Sequence, residues 1–122
     1  MDWLKGRHAA VDLFRELIQD GHTLAVNAVC VAEIYAGLAE DEWRPADRMM
    51  ASFEYWNIDL HAARQAGAYR YTFARRGQPL STPDTLMAAH AAEQDAILVT
   101  GNVKDFPMPE LRLLKLPPGD PR

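Results

Sequence analysis

At 122 residues and 48% hydrophobic, the chain fits one compact domain with one core, and its formal charge of −4 comes from 13 basic and 17 acidic side chains. That balance does not describe a basic DNA-binding surface, although a local patch or a bound metal can hold phosphates on an acidic protein. A single cysteine, Cys30, excludes an intrachain disulfide, and no stretch approaches the roughly 18 apolar residues of a membrane span.

Helical periodicity runs from Met1 to Gln19 through Trp3, Val11, Phe14 and Ile18, and Asp20-Gly21-His22 ends it, with Gly21 as a left-handed cap. Thr23–Val26 reads as a short buried strand. Asn27 fits the cap of a second helix from Ala28 to about Leu38, which carries Glu33. Cys30 lies in the apolar run Ala28–Ala32, so its thiol is expected to be structural. After a polar stretch, Pro45 marks the start of a third helix through Met49, Met50 and Phe53. A weak strand follows over Tyr55–Asp59, then an amphipathic fourth helix over His61–Arg76 and a loop through Ser81. Thr82 is expected to cap a fifth helix with Pro83 in its first turn. Ala96–Val99 is the clearest buried strand, Leu111–Leu116 a weaker one, and residues 117–122 a tail with no core to join. Strands alternating with helices predict a three-layer α/β domain over residues 1–116 with a mainly parallel sheet. With no signal peptide before the first charged residues, the expected compartment is the cytoplasm.

In such a fold a helix start and a strand end share one edge of the sheet, where sites are built. Asp84 and Asp105 occupy those two places, and two like charges converging there suggest a divalent cation between them. Each has a plainer reading. Asp84 in a first helical turn complements the helix dipole, worth roughly 0.3–1 kcal/mol; Asp105 is a turn acid. Beyond the strand, however, Thr100, Asn102 and Asp105 crowd oxygen-bearing groups into six residues, as a hard-cation site does. Glu33 sits among apolar neighbours, where it either snorkels at the helix edge or faces a cation or arginine. His90 is six residues past Asp84, off the helical spacing that would aim both at one ligand, and His8, His22 and His61 show no ligand spacing, so no zinc site is expected. Arg75 and Arg76 either close their helix or meet a phosphate backbone. There is no phosphate-cradling glycine loop, no GxSxG elbow and no Cys–His pair, which removes nucleotide-cofactor enzymes and most covalent hydrolases.

The combination of Glu33 in Val31-Ala32-Glu33-Ile34-Tyr35-Ala36-Gly37, Asp84 in Pro83-Asp84-Thr85-Leu86-Met87-Ala88-Ala89-His90-Ala91, and Thr100-Gly101-Asn102-Val103-Lys104-Asp105-Phe106 resembles the PIN domain, in its VapC-type toxin branch. Asp2-Trp3-Leu4-Lys5-Gly6 is similar to the start of that family's first helix. The resemblance implies a Mg²⁺- or Mn²⁺-dependent endoribonuclease, paired with a small antitoxin and forming a homodimer. It implies that Glu33, Asp84 and Asp105 are three of a metal-binding acidic quartet, with Thr100 and Asn102 lining the site. Phosphodiester hydrolysis would then proceed by metal activation of water and by offsetting charge on the phosphate.

The chain departs from the family at its start. Family members open with a central strand ending in an aspartate, and Asp2 matches the helix start rather than that ligand. Either the start is set too late and the cell makes a longer protein, or this is a truncated form. As written, the chain is expected to be marginally stable and weakly active or inactive, because unpaired strand edges and a three-acid site follow from losing that strand. A truncated domain that persists as a protein-binding module is the competing function; a flavodoxin-like phospho-receiver is a third, weakened by having no aspartate directly after a strong central strand.

Overall fold

The computed structural model describes residues 8–117 as five α-helices and four short strands. The expectations for Asp2–Gly6 and for residues 118–122 of the tail lie outside these. The described residues divide into two compact units, residues 8–57 with Pro117, and Ile58–Leu116.

In the first unit, α1 spans His8–Gln19 and stops where Gly21 takes φ +89°. That conformation lets the His22 amide reach the Leu17 carbonyl at 3.0 Å and the Gly21 amide the Ile18 carbonyl at 3.0 Å, the end expected for this glycine. Strand β1, Ala25–Val26, pairs in parallel with β2, Glu54–Tyr55. Both are shorter than the runs expected from sequence. Between them come α2, Ala28–Ala36, and α3, Trp43–Met50. Asn27 caps α2 by accepting from the Cys30 amide at 2.9 Å. The third helix starts two residues before Pro45, because a 3₁₀ turn at Glu40–Glu42 leads into it and the Glu42 carboxylate ties back to the Ala39 amide at 2.9 Å. Ala10 and Ala46 are buried, and Phe14 meets Phe53 edge to face with centroids 5.7 Å apart.

The second unit is built on a hairpin of α4, Leu60–Arg75, and α5, Thr82–Glu93. Asp59 caps α4, accepting from the Ala62 amide at 2.8 Å. The cap of α5 is Ser81 and not Thr82: its hydroxyl accepts from the Asp84 amide at 3.2 Å, and Thr82 is already helical. Thr85 is fully buried yet satisfied, donating to the carbonyls of Ser81 and Thr82. The core joins Ala62, Ala66 and Phe73 of α4 to Ala88, Ala89 and Ala91 of α5; small residues let the two helices approach closely.

Strand β3, Ile97–Thr100, pairs in parallel with β4, Arg112–Lys115, in the register Ile97↔Arg112 to Thr100↔Lys115. Both strand pairs are parallel, as expected, but among the described residues they form two separate two-stranded sheets. The β3–β4 crossover uses no α-helix. It runs through a 3₁₀ turn at Val103–Asp105, and Phe106 and Met108 anchor it in the core.

Candidate functional site

The short turn from α5 to β3 sends the strand back along the helix. The start of α5 and the end of β3 therefore share one end of the second unit, the carboxyl end of its strands. Asp84 is at that end, half-buried in the first turn of α5, where the helix dipole favours its charge. Its backbone is fixed from two sides. Ser81 accepts its amide, and Arg70 of α4 donates from Nε to the Leu80 carbonyl at 3.0 Å and from Nη1 to Thr82 Oγ1 at 2.9 Å. Sequence reasoning missed Arg70, which is twelve residues from Thr82 and reaches it only because the helices fold back on each other.

The turn after β3 assembles the other expected group. The Asn102 amide nitrogen of the backbone donates to Thr100 Oγ1 at 3.0 Å, and its side-chain Nδ2 donates to Asp105 Oδ2 at 2.9 Å. Three of the expected site residues are thereby brought into one hydrogen-bonded turn. Asp105 is half-buried and Asn102 exposed. The donor set at this end is all oxygen apart from the Asn102 amide nitrogen, which is already spent on Asp105. Such oxygen donors suit a hard divalent cation.

Glu33 belongs to the first unit, on the exposed face of α2 with Ala32 and Ala36. Val31, Ile34 and Tyr35 beside it are only half-buried, so no desolvation cost demands a counter-charge. Cys30 is half-buried and burial pushes its thiol up, in keeping with a structural cysteine. His90 is buried, 4% exposed, within α5.

A second constellation was not visible in sequence. One ligand atom from each of Asp59, His61 and Glu93 lies within 4.8 Å of the others, a group that could hold a metal ion. His61 Nδ1 is 2.8 Å from Glu93 Oε2. The Ala62 amide holds the Asp59 carboxyl below the usual aspartate range; desolvation opposes this, and contact with Glu93 and the nearby His61 and His90 add to it. His61 and Glu93 are 32 residues apart, so spacing alone gave no signal. These three residues sit at the start of α4 and the end of α5, opposite the end that carries Asp84.

A family model described as PIN domain matches residues 1–107. Ribonuclease VapC19 of Mycobacterium tuberculosis is 35% identical over 115 residues, spanning 92% of this chain and 90% of that protein. Ribonuclease VapC10 of the same species is 36% identical over 105 residues, spanning 86% and 78%. Among solved structures, VapBC2 from Rickettsia felis, bound to a DNA fragment from its promoter, superposes with a TM-score of 0.73 at 24% identity, over 85% of this chain and 83% of that one. VapBC from Salmonella typhimurium, also bound to DNA, does so at 0.71 and 21%, over 85% and 83%. At such identities the structural likeness speaks for the fold.

Proposed function

The chain belongs to the PIN-domain family, and from that premise we propose that it is a VapC-type endoribonuclease, the toxin of a toxin–antitoxin pair. The observation that supports this reading best is the Thr100–Asn102–Asp105 turn at the same end of its unit as Asp84. In this reading Asp84, Asp105 and Glu33 hold a divalent cation, Mg²⁺ or Mn²⁺. When bound, such a cation activates water and offsets charge on the scissile phosphate.

The chain's own residues do the positioning. Asn102 turns Asp105 so that Oδ2 is engaged and Oδ1 remains available to a cation. Ser81 and Arg70 fix the backbone from which Asp84 projects. Thr100 holds Asn102 in place through its amide. The family resemblance assigns the third carboxylate to Glu33, which is exposed on α2. We further infer a cognate antitoxin and a second copy of the chain as protein partners; the named relatives are ribonucleases, and the solved neighbours include toxin–antitoxin complexes. Among the described residues no helix is long and apolar enough to cross a membrane, which fits action on RNA in the cytoplasm.

The test is cleavage of total RNA by the purified chain with Mg²⁺, with Mn²⁺ and with a chelator. Cation-dependent cleavage that disappears in Asp84→Asn is the expected result. A folded protein that cleaves nothing under any of these conditions overturns the reading; retained antitoxin binding by that same protein would favour a binding module instead.

A further inference from the structure

The longest acid-free stretch of the chain, residues 60–83, leads directly into Asp84 and carries Arg64, Arg70, Arg75 and Arg76, in a protein whose net charge is −4. Nearly all of it is α4 and the loop that follows. The helix buries Ala62, Ala66, Tyr69 and Phe73 on one face. At 3.6 residues per turn, Arg64, Tyr71 and Arg75 fall within about 40° of one another on the opposite face. All three are exposed, Tyr71 at 61%.

Two of them form an ordered pair. The Arg75 guanidinium carbon lies 3.3 Å from the centroid of the Tyr71 ring, and Nη1 donates to the Tyr71 carbonyl at 3.3 Å. A large aromatic ring held open to water with a cation stacked on it serves no core. Arg70 sits on the flank between this stripe and α5, bonded to Leu80 and Thr82, so positive charge continues from the stripe to the turn that carries Asp84. The Arg75 and Tyr71 end of α4 is also the end of the hairpin at which α5 begins.

We propose that Arg64, Tyr71 and Arg75 form a docking strip for single-stranded RNA, which leads the substrate toward Asp84; this rests on the ribonuclease reading above. The chemistry fits unpaired RNA better than a protein. Alternating arginine and tyrosine offers a stacking platform for a base beside donors for the phosphates on either side of it, and such platforms tolerate sequence. The arginines supply the salt-dependent part of the affinity and the tyrosine the salt-independent part.

The test measures binding of a fluorescein-labelled, unstructured 12-nucleotide RNA to the full chain in the non-cleaving Asp84→Asn background. Tyr71→Ala is expected to weaken binding about tenfold, and Tyr71→Phe to restore most of it, because stacking needs the ring and not the hydroxyl. Arg64→Ala and Arg75→Ala together should flatten the slope of log affinity against log salt by about 0.7 for each phosphate that is no longer neutralised. Since these side chains point away from the core, thermal unfolding should not change. Unaltered RNA affinity and salt slope in the variants would overturn the strip, and so would unaltered affinity accompanied by loss of dimer in sedimentation, which would assign the face to a second copy of the chain. The two readings fail separately. Cleavage by the wild-type chain with no effect of the variants leaves the nuclease standing without the strip, whereas RNA binding that depends on Tyr71 without cleavage leaves the strip without the nuclease.

Discussion

Asn102 donates its side-chain amide to Asp105 across a turn of three residues, and the same residue's backbone is held by the hydroxyl of Thr100. A carboxylate on an exposed turn would otherwise sample several rotamers. Here one of its oxygens, Oδ2, is tethered.

Replacing Asn102 with Ala should therefore weaken cation binding without removing a ligand. Loss of a residue that orients a metal ligand typically costs 10- to 100-fold in affinity or activity, so the Mg²⁺ concentration for half-maximal cleavage should rise by about that factor. Titrating Mg²⁺ in a cleavage assay checks this. An unchanged midpoint would show that Asp105 needs no help.

Asp84→Asn should abolish cleavage and leave the fold intact. The cap of α5 comes from Ser81, so the carboxylate contributes to stability only through the helix dipole, about 0.3–1 kcal/mol. Denaturant unfolding should show a shift no greater than this while RNA cleavage is lost. A large loss of stability would mean the residue is structural.

Arg70→Ala should weaken both the fold and the catalyst. It removes two hydrogen bonds from a charged donor, one of them to the partly buried Leu80 carbonyl, and the expected loss is about 1–2 kcal/mol. Arg70→Lys should recover little of it, since one ammonium cannot span the two acceptors the guanidinium fork reaches. Unfolding curves read the first effect, and the cleavage rate at saturating RNA reads the second.

Much of this is legible in the sequence, and the reasons differ by residue. Gly21 and Asn27 act through neighbours three or four residues away, so their caps can be read from local chemistry. Asp84 and Asp105 can be placed because a helix start and a strand end share an edge in any parallel α/β unit. The cap of α5 falls one residue earlier than sequence suggests, because Ser81 and Thr82 are chemically equivalent candidates and only backbone conformation separates them. Glu33 has apolar neighbours in sequence but is exposed, because no residue of α2 is fully buried and periodicity over nine residues does not fix the packing direction of so short a helix. Arg70 and the Asp59–His61–Glu93 group depend on how the α4–α5 hairpin closes, which no local pattern encodes.

The protein should also lose stability at high pH, in part through Tyr69. Burial pushes the Tyr69 phenol up to about 12, and a hydrogen bond to Glu110 at 3.0 Å adds to this. A raised folded-state value means the contribution is fully present below the ordinary tyrosine value of 10.0 and is lost as pH climbs toward about 12. Tyr69→Phe should cost about 1 kcal/mol at neutral pH and remove this part of the alkaline decline. Urea unfolding between pH 8 and 11 tests it: parallel pH profiles for the two proteins would contradict the assignment.

The turn that carries Asn102 and Asp105 has a second duty. A parallel strand pair needs a connection long enough to return the chain to its starting end, ordinarily a dozen or more residues and a helix. In this protein, residues 101–111 make that return alone, pinned midway by Phe106 and Met108. The loop can therefore gain residues far more easily than it can lose them. Shortening it by even a few would break the β3–β4 register before it touched Asn102 or Asp105, so that hydrogen-bonded turn and the topology of its sheet are tied to one length of chain.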